Sequence, residues 1–214
     1  MKKYLYFLFA VFVAVGLSAC SSDDNEPNGP DTGVPAPTPD PDPDLTAGKT
    51  LIVYYSFTNN VYAIVSDLQA QIEADVIRIE PAEEGLDYAA NGYALGRELI
   101  NAIQHNPNEA ASYPATKPVE VNIADYDRII VGAPLWHSRM AAPLQTFLFH
   151  YGSQMEGKSI GLIVSSSSST IGGVESDAQR LIPGGNFLDP SLWIRSSQTS
   201  NCHSLLADWL SQIN

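Results

Sequence analysis

From residue 49 onward, apolar runs rich in β-branched residues alternate with segments of helical periodicity. The runs are Thr50 to Tyr55, Asp75 to Glu80, Arg128 to Ala133, Ser159 to Ser165 and Leu192 to Ser196. "LIVYY", "RIIVGA" and "IGLIVS" are almost continuously apolar, as parallel strands covered on both faces require. Between the runs, Asn60 to Glu73 carries Val61, Ile64, Val65, Leu68 and Ile72 as one stripe at helical spacing. Tyr88 to Gln104, Ala141 to Tyr151, Val174 to Leu181 and Asn201 to Ile213 read as further helices. This alternation predicts an α/β three-layer sandwich around a five-stranded parallel sheet. Right-handed crossovers leave two common strand orders, and both place ligands at the carboxyl ends of the strands, at the switch point. Three loops are expected to meet there: Ser56 to Asn60, Pro134 to Met140 and Ser165 to Gly172.

The first 48 residues fall outside this pattern. Lys2 and Lys3, the apolar run Tyr4 to Val15 and the small residues before Cys20 read as an export signal over residues 1–20. The run is short beside the roughly 20 residues of a membrane span. "LSAC" resembles the bacterial lipoprotein cleavage box, which implies lipid on Cys20 and a protein held at the membrane of the cell envelope by that anchor alone. Residues 21–48 are rich in Pro and Asp, lack Lys and Arg, and are expected to form a disordered acidic tether. "SSDD" after Cys20 resembles acidic signals that send some lipoproteins to the outer face; a plain tether reads equally well. Residues 49–214 then make one domain.

Charge narrows the partners. The formal net charge is −13, and loss of Lys2 and Lys3 makes it more negative, so nucleic acid is not an expected partner. Of two cysteines, Cys20 is committed to lipid if the cleavage box is used, which leaves Cys202 without a disulfide partner. His105, His137, His150 and His203 show no metal-ligand spacing.

Each loop admits two readings. In "SFTNN", the hydroxyls of Ser56 and Thr58, the amides of Asn59 and Asn60 and the N–H groups at a helix start suit an anion nest. Thr58 or Asn59 capping the helix explains the same residues. The glycines and lysine of a Walker loop are absent. In "GAPLWHSRM", Pro134 ends the strand, and Trp136 suits stacking on a planar ring or covering the sheet. Arg139 suits an anion or solvent. In "VSSSSSTIGG", small hydroxyls could read a flat, polar-edged ligand or form a flexible loop. No Gly-x-Ser-x-Gly elbow is present, so hydrolase chemistry is not indicated.

The three segments together resemble the flavodoxin-like family, in the branch common in anaerobic bacteria. "SFTNN" is similar to its phosphate loop, "DYDRIIVGAPLWHSRMAAPLQTFL" to its Gly-x-Pro-x-Trp-Trp segment, and "GKSIGLIVSSSSSTIGG" to its third-loop segment. The resemblance covers residues 49–214 and implies the flavodoxin-like order 2-1-3-4-5 with bound FMN. By position it implies that Ser56, Thr58, Asn59, Asn60 and Val61 hold the FMN phosphate. Pro134, Leu135, Trp136, His137 and Ser138 would flank one side of the isoalloxazine. Ser165, Ser166, Ser167, Ser168 and Ser169, with Ile171 and Gly172, would line its other side and pyrimidine edge. The sequence departs from the family where Asn59 replaces Gly, Val61 replaces Thr, His137 replaces Trp, and Ser167, Ser168 and Thr170 replace glycines. Each lost neutral hydrogen bond would cost roughly 1 kcal/mol.

The function implied is electron transfer, or reduction of a small acceptor, with an unidentified redox partner and no catalytic side chain. A binding module that keeps the fold without the flavin is the alternative. A flavin-dependent quinone or nitro-compound reductase would further need a nicotinamide site, which the sequence does not display.

Overall fold

The computed structural model describes residues 48–168 and 170–213. The expected signal at residues 1–20 with Cys20, the tether as far as residue 47, and Ser169 lie outside the described residues. The strands are β1 (Thr50–Tyr54), β2 (Asp75–Arg78), β3 (Arg128–Trp136), β4 (Arg139–Met140), β5 (Ser159–Ser166), β6 (Asn186–Phe187) and β7 (Leu192–Arg195). The helices are α1 (Asn60–Gln69), α2 (Ala90–His105), α3 (Ala142–Tyr151), α4 (Gly172–Leu181) and α5 (His203–Gln212).

The strands form one sheet in the order β2-β1-β3-β5-β6, with β7 also on β5 and β4 on β3. All pairings are parallel except that of β3 with β4. This is the flavodoxin-like order, because β4 is only a short return of β3 and the fifth strand is split. Its halves, β6 and β7, pair with opposite ends of β5, at Ser159–Ile160 and at Ile163–Ser166.

Because side chains alternate across a strand, the apolar runs supply both faces of the sheet. Leu51, Val53, Ile129, Val131, Leu162 and Val164 join the core that α2, α3 and α4 cover; Ile52, Tyr54, Ile130 and Ile163 join the one under α1 and α5. Gly132 lets α1 lie close on β3: a Cβ there would sit 2.9 Å from Tyr54 Cβ and 3.1 Å from Val61 Cγ1. That close packing fixes the start of α1, and with it the first loop. Cys202 is buried and free, and burial raises its thiol pKa, with the charge of Asp67 adding to the rise.

Besides the added strands β4 and β6 and a β2 that ends at Arg78, three elements differ from expectation in ways that shape the site. α1 ends at Gln69, four residues early, although Ile72 still packs on its core. α2 begins with a left-handed turn, Asn91, Gly92 and Tyr93 having φ of 51°, 64° and 64°. β3 does not end at Pro134 but runs to Trp136 and returns as β4 through His137 and Ser138, at φ 47° and 65°. Positive φ at both central residues matches the right-handed twist of a tight hairpin. Pro134 is tolerated inside β3 because its neighbour β1 has already ended, so no ladder partner needs its missing N–H.

Candidate functional site

The carboxyl ends of β1, β3 and β5 open onto a cleft of ≈ 390 Å³. Its lining contains Ser56, Thr58, Asn60 and Val61 from the first loop, Pro134, Leu135, Trp136 and His137 from β3 and its turn, and Ser165, Ser166 and Ser167 from β5 and beyond. The structure therefore brings the three expected loops to one place.

In the first loop the cap is neither Thr58 nor Asn59. Asn59 occupies the N-cap position of α1 in a left-handed conformation, φ 62° and ψ 6°, and its side chain makes no capping bond. Ser56 supplies the cap from outside the helix, its Oγ accepting the Tyr62 N–H at 3.2 Å. Among the described residues, the N–H groups of Thr58, Asn59, Asn60 and Val61 then have no hydrogen-bond partner. Together with the positive end of the α1 dipole they form a cradle for an anion. The first turn of α1 holds no acidic residue to repel one. Asn tolerates the left-handed region better than other residues with a side chain, by local hydrogen bonding. Asn59→Ala is expected to lower stability by about 1 kcal/mol in urea unfolding, whereas Asn59→Gly should not.

A cation of the described residues reaches this loop. Arg78, last residue of β2, donates from Nη2 to the Ser56 carbonyl at 3.1 Å and lies 5.8 Å from the Tyr62 ring centroid. Burial raises the Tyr54 phenol, and the neighbouring guanidinium of Arg78 works against that rise.

The wall opposite is aromatic. Trp136 meets Tyr55 and Phe57 edge to face, at centroid distances of 5.6 and 6.4 Å, and lies tilted on Tyr88 at 4.7 Å. α2 closes on it through Gly96, where a Cβ would stand 3.4 Å from Trp136 Cε3. Burial raises the Tyr55 and Tyr88 phenols, and the charge of Glu83 adds to the rise at Tyr88. The Tyr88 hydroxyl is buried and has no hydrogen-bond partner among the described residues, although Tyr88 lines the cleft. An unsatisfied buried hydroxyl costs about 1–3 kcal/mol, so it favours a ligand or water that supplies the missing partner. His137 Nε2 lies 3.3 Å from the Tyr93 carbonyl and ties the hairpin turn to the start of α2.

The hairpin is anchored from behind by a buried carboxylate. Asp177 on α4, 1% exposed, pairs with Arg139 and accepts the Met140 N–H at 3.0 Å. Arg180 also approaches Asp177 at 3.5 Å, and donates to the Tyr113 hydroxyl and to Gln145 Oε1, both at 2.9 Å. Arg139, expected to meet an external anion or solvent, is thus partly buried and paired with Asp177.

Five of the expected site residues do not line the cleft. Asn59 turns the chain into α1. Ser138 forms the hairpin tip, with its carbonyl against Gly173. Ser168 is exposed, Ile171 packs on the core at the start of α4, and Gly172 is the first residue of that helix. Conversely, Phe57, Tyr88, Tyr93, Gly96 and Ser196 line it without having been expected. The tyrosines carried a signal, being aromatic residues flanking an Asn-Gly turn, but their position depends on how α2 packs. Among the described residues no group of His, Cys, Asp or Glu is arranged to hold a metal, and no helix is long and apolar enough to cross a membrane.

N–H groups without partners at the first βα turn, beside an aromatic wall at the switch point, form the arrangement that in α/β proteins suits a phosphate-bearing ligand. The family profile described as Flavodoxin matches residues 49–213, and the chain belongs to that family. No curated protein sequence matches it. Among solved structures, a candidate flavoprotein of Bacteroides eggerthii superposes with a TM-score of 0.59 at 23% identity, over 78% of this chain and 98% of that one. A flavoprotein of Lactobacillus acidophilus in complex with FMN gives 0.57 at 21% identity, over 74% and 99%. A candidate flavoprotein of Bacteroides uniformis gives 0.58 at 22%, over 77% and 98%. At such identities the likeness is one of fold.

Proposed function

We propose that the cleft binds FMN and that the protein transfers electrons, or reduces a small acceptor, at the cell envelope, tethered by lipid on Cys20. The observation that carries this reading is the set of unpartnered N–H groups from Thr58 to Val61, opening onto an aromatic-walled cleft. Family membership and the FMN bound to a structure of the same fold support it. Thr58 and Asn60 would donate to the phosphate with these N–H groups; Leu135, Trp136 and His137 would bound the ring on one side and Ser165 to Ser167 on the other. The flavin would supply the redox chemistry, while the chain binds, orients and shields it. The acidic surface would steer a basic partner.

Titration of the purified domain with FMN tests this reading. A yellow complex with quenched flavin fluorescence, and a thermal midpoint raised by several degrees through mass action, is the expected result. No quenching at micromolar FMN would overturn it. One observation favours a second reading, a phosphate-binding module without flavin. Trp136 is already packed against Tyr55, Phe57 and Tyr88, so a planar ligand must share or displace those contacts. Phosphate-dependent stabilisation without flavin binding would identify that case.

A further inference from the structure

We infer that Arg78, outside every expected site, is a positioning residue that makes the cleft select a phosphate-bearing ligand. The inference rests on the proposed flavin cleft and concerns how its phosphate end is held. The parallel register Tyr54↔Arg78 brings Arg78 level with the last residue of β1, just before the loop turns toward α1. From there its guanidinium donates to the carbonyl of Ser56, while the hydroxyl of the same serine accepts the Tyr62 N–H. The ring of Tyr62 lies beside the guanidinium, 5.8 Å from centroid to Cζ. Strand, loop and first helical turn are therefore joined through three residues. With Ser56 held at its carbonyl and its hydroxyl, the four N–H groups from Thr58 to Val61 keep their unpartnered arrangement.

Charge points the same way. In a chain of net charge −13, Arg78 has no carboxylate of a described residue within ion-pair distance. An unpaired guanidinium beside a helix N-terminus adds to the positive potential felt by a dianion. Arg78 is exposed, so this contribution is screened and must fall with salt. Lysine retains the charge but lacks the planar fork that bonds a carbonyl while lying along an aromatic ring.

The test compares FMN with riboflavin, which has the same ring and no phosphate, on the wild-type domain, Arg78→Gln and Arg78→Lys. Because Arg78 is exposed, both variants should fold, as far-UV circular dichroism would verify. Arg78→Gln is expected to weaken FMN about fivefold to tenfold at low salt, with riboflavin affinity unchanged and the FMN deficit shrinking at high salt. Arg78→Lys should recover part of the loss. An equal loss for both flavins, or none for FMN, overturns the inference. A wild-type domain that binds neither flavin sinks the flavin reading alone. Inorganic phosphate then decides the inference: it should raise the thermal midpoint of the wild type but not of Arg78→Gln, and an equal response, or none in either, overturns it.

Discussion

Asp177→Ala is expected to lower the thermal midpoint by about 10 °C, corresponding to about 3 kcal/mol for a domain of this size. The carboxylate is 1% exposed and serves two arginines and the Met140 N–H. Removing one partner of a buried charge pair typically costs about 3–5 kcal/mol. The lower end applies because Arg139 and Arg180 keep 27% and 32% of their side-chain surface and can rehydrate. The Met140 N–H cannot, and its orphaning contributes about 1–3 kcal/mol. Calorimetry or urea unfolding measures the change, with Gln179→Ala on the exposed side of the same helix as a control expected within about 0.5 kcal/mol. A midpoint within two degrees of wild type would show that the network does not hold the hairpin. Since β4 carries two of these contacts, FMN affinity should fall along with stability.

Gly173→Ala is expected to cost about 2 kcal/mol and to weaken FMN binding by about tenfold, while Gly172→Ala changes neither. A Cβ at Gly173 would lie 1.8 Å from the Ser138 carbonyl oxygen and 3.1 Å from its carbon, both backbone atoms that cannot swing aside. At Gly172 the nearest atom is the Glu175 carboxylate, 4.0 Å away. The adjacent glycines therefore separate a clash from a substitution in open space. Urea unfolding and FMN titration of the pair decide the matter, and identical behaviour would refute the contact between hairpin and α4.

The parts of this molecule legible in its sequence are those set by local pattern. "LIVYY", "RIIVGA" and "IGLIVS" became the central strands because continuous apolar runs fit only a sheet covered on both faces. "SFTNN" was readable as a turn with surplus donors, yet which residue caps the helix was not. That depended on Asn59 taking a left-handed conformation and handing the cap to Ser56. The hairpin turn was illegible because His137 and Ser138 are not the Asn and Gly that such turns favour. Asp177 is one of several polar positions in α4, and nothing in the local pattern marks it out. Its partners Arg139 and Met140 are 38 and 37 residues away in sequence and meet it only after folding. Tyr88, Tyr93 and Gly96 joined the cleft for the same reason, through the packing of α2 over Trp136.

The split fifth strand bears on how copies of this protein meet one another. A long, flat strand at a sheet border exposes a row of N–H and C=O groups on which another chain can zip, and natural sheets avoid this with short or interrupted borders. Here one border is β2, of four residues, and the other is broken into β6 and β7, of two and four. Neither offers a template long enough to propagate strand pairing from one copy to the next.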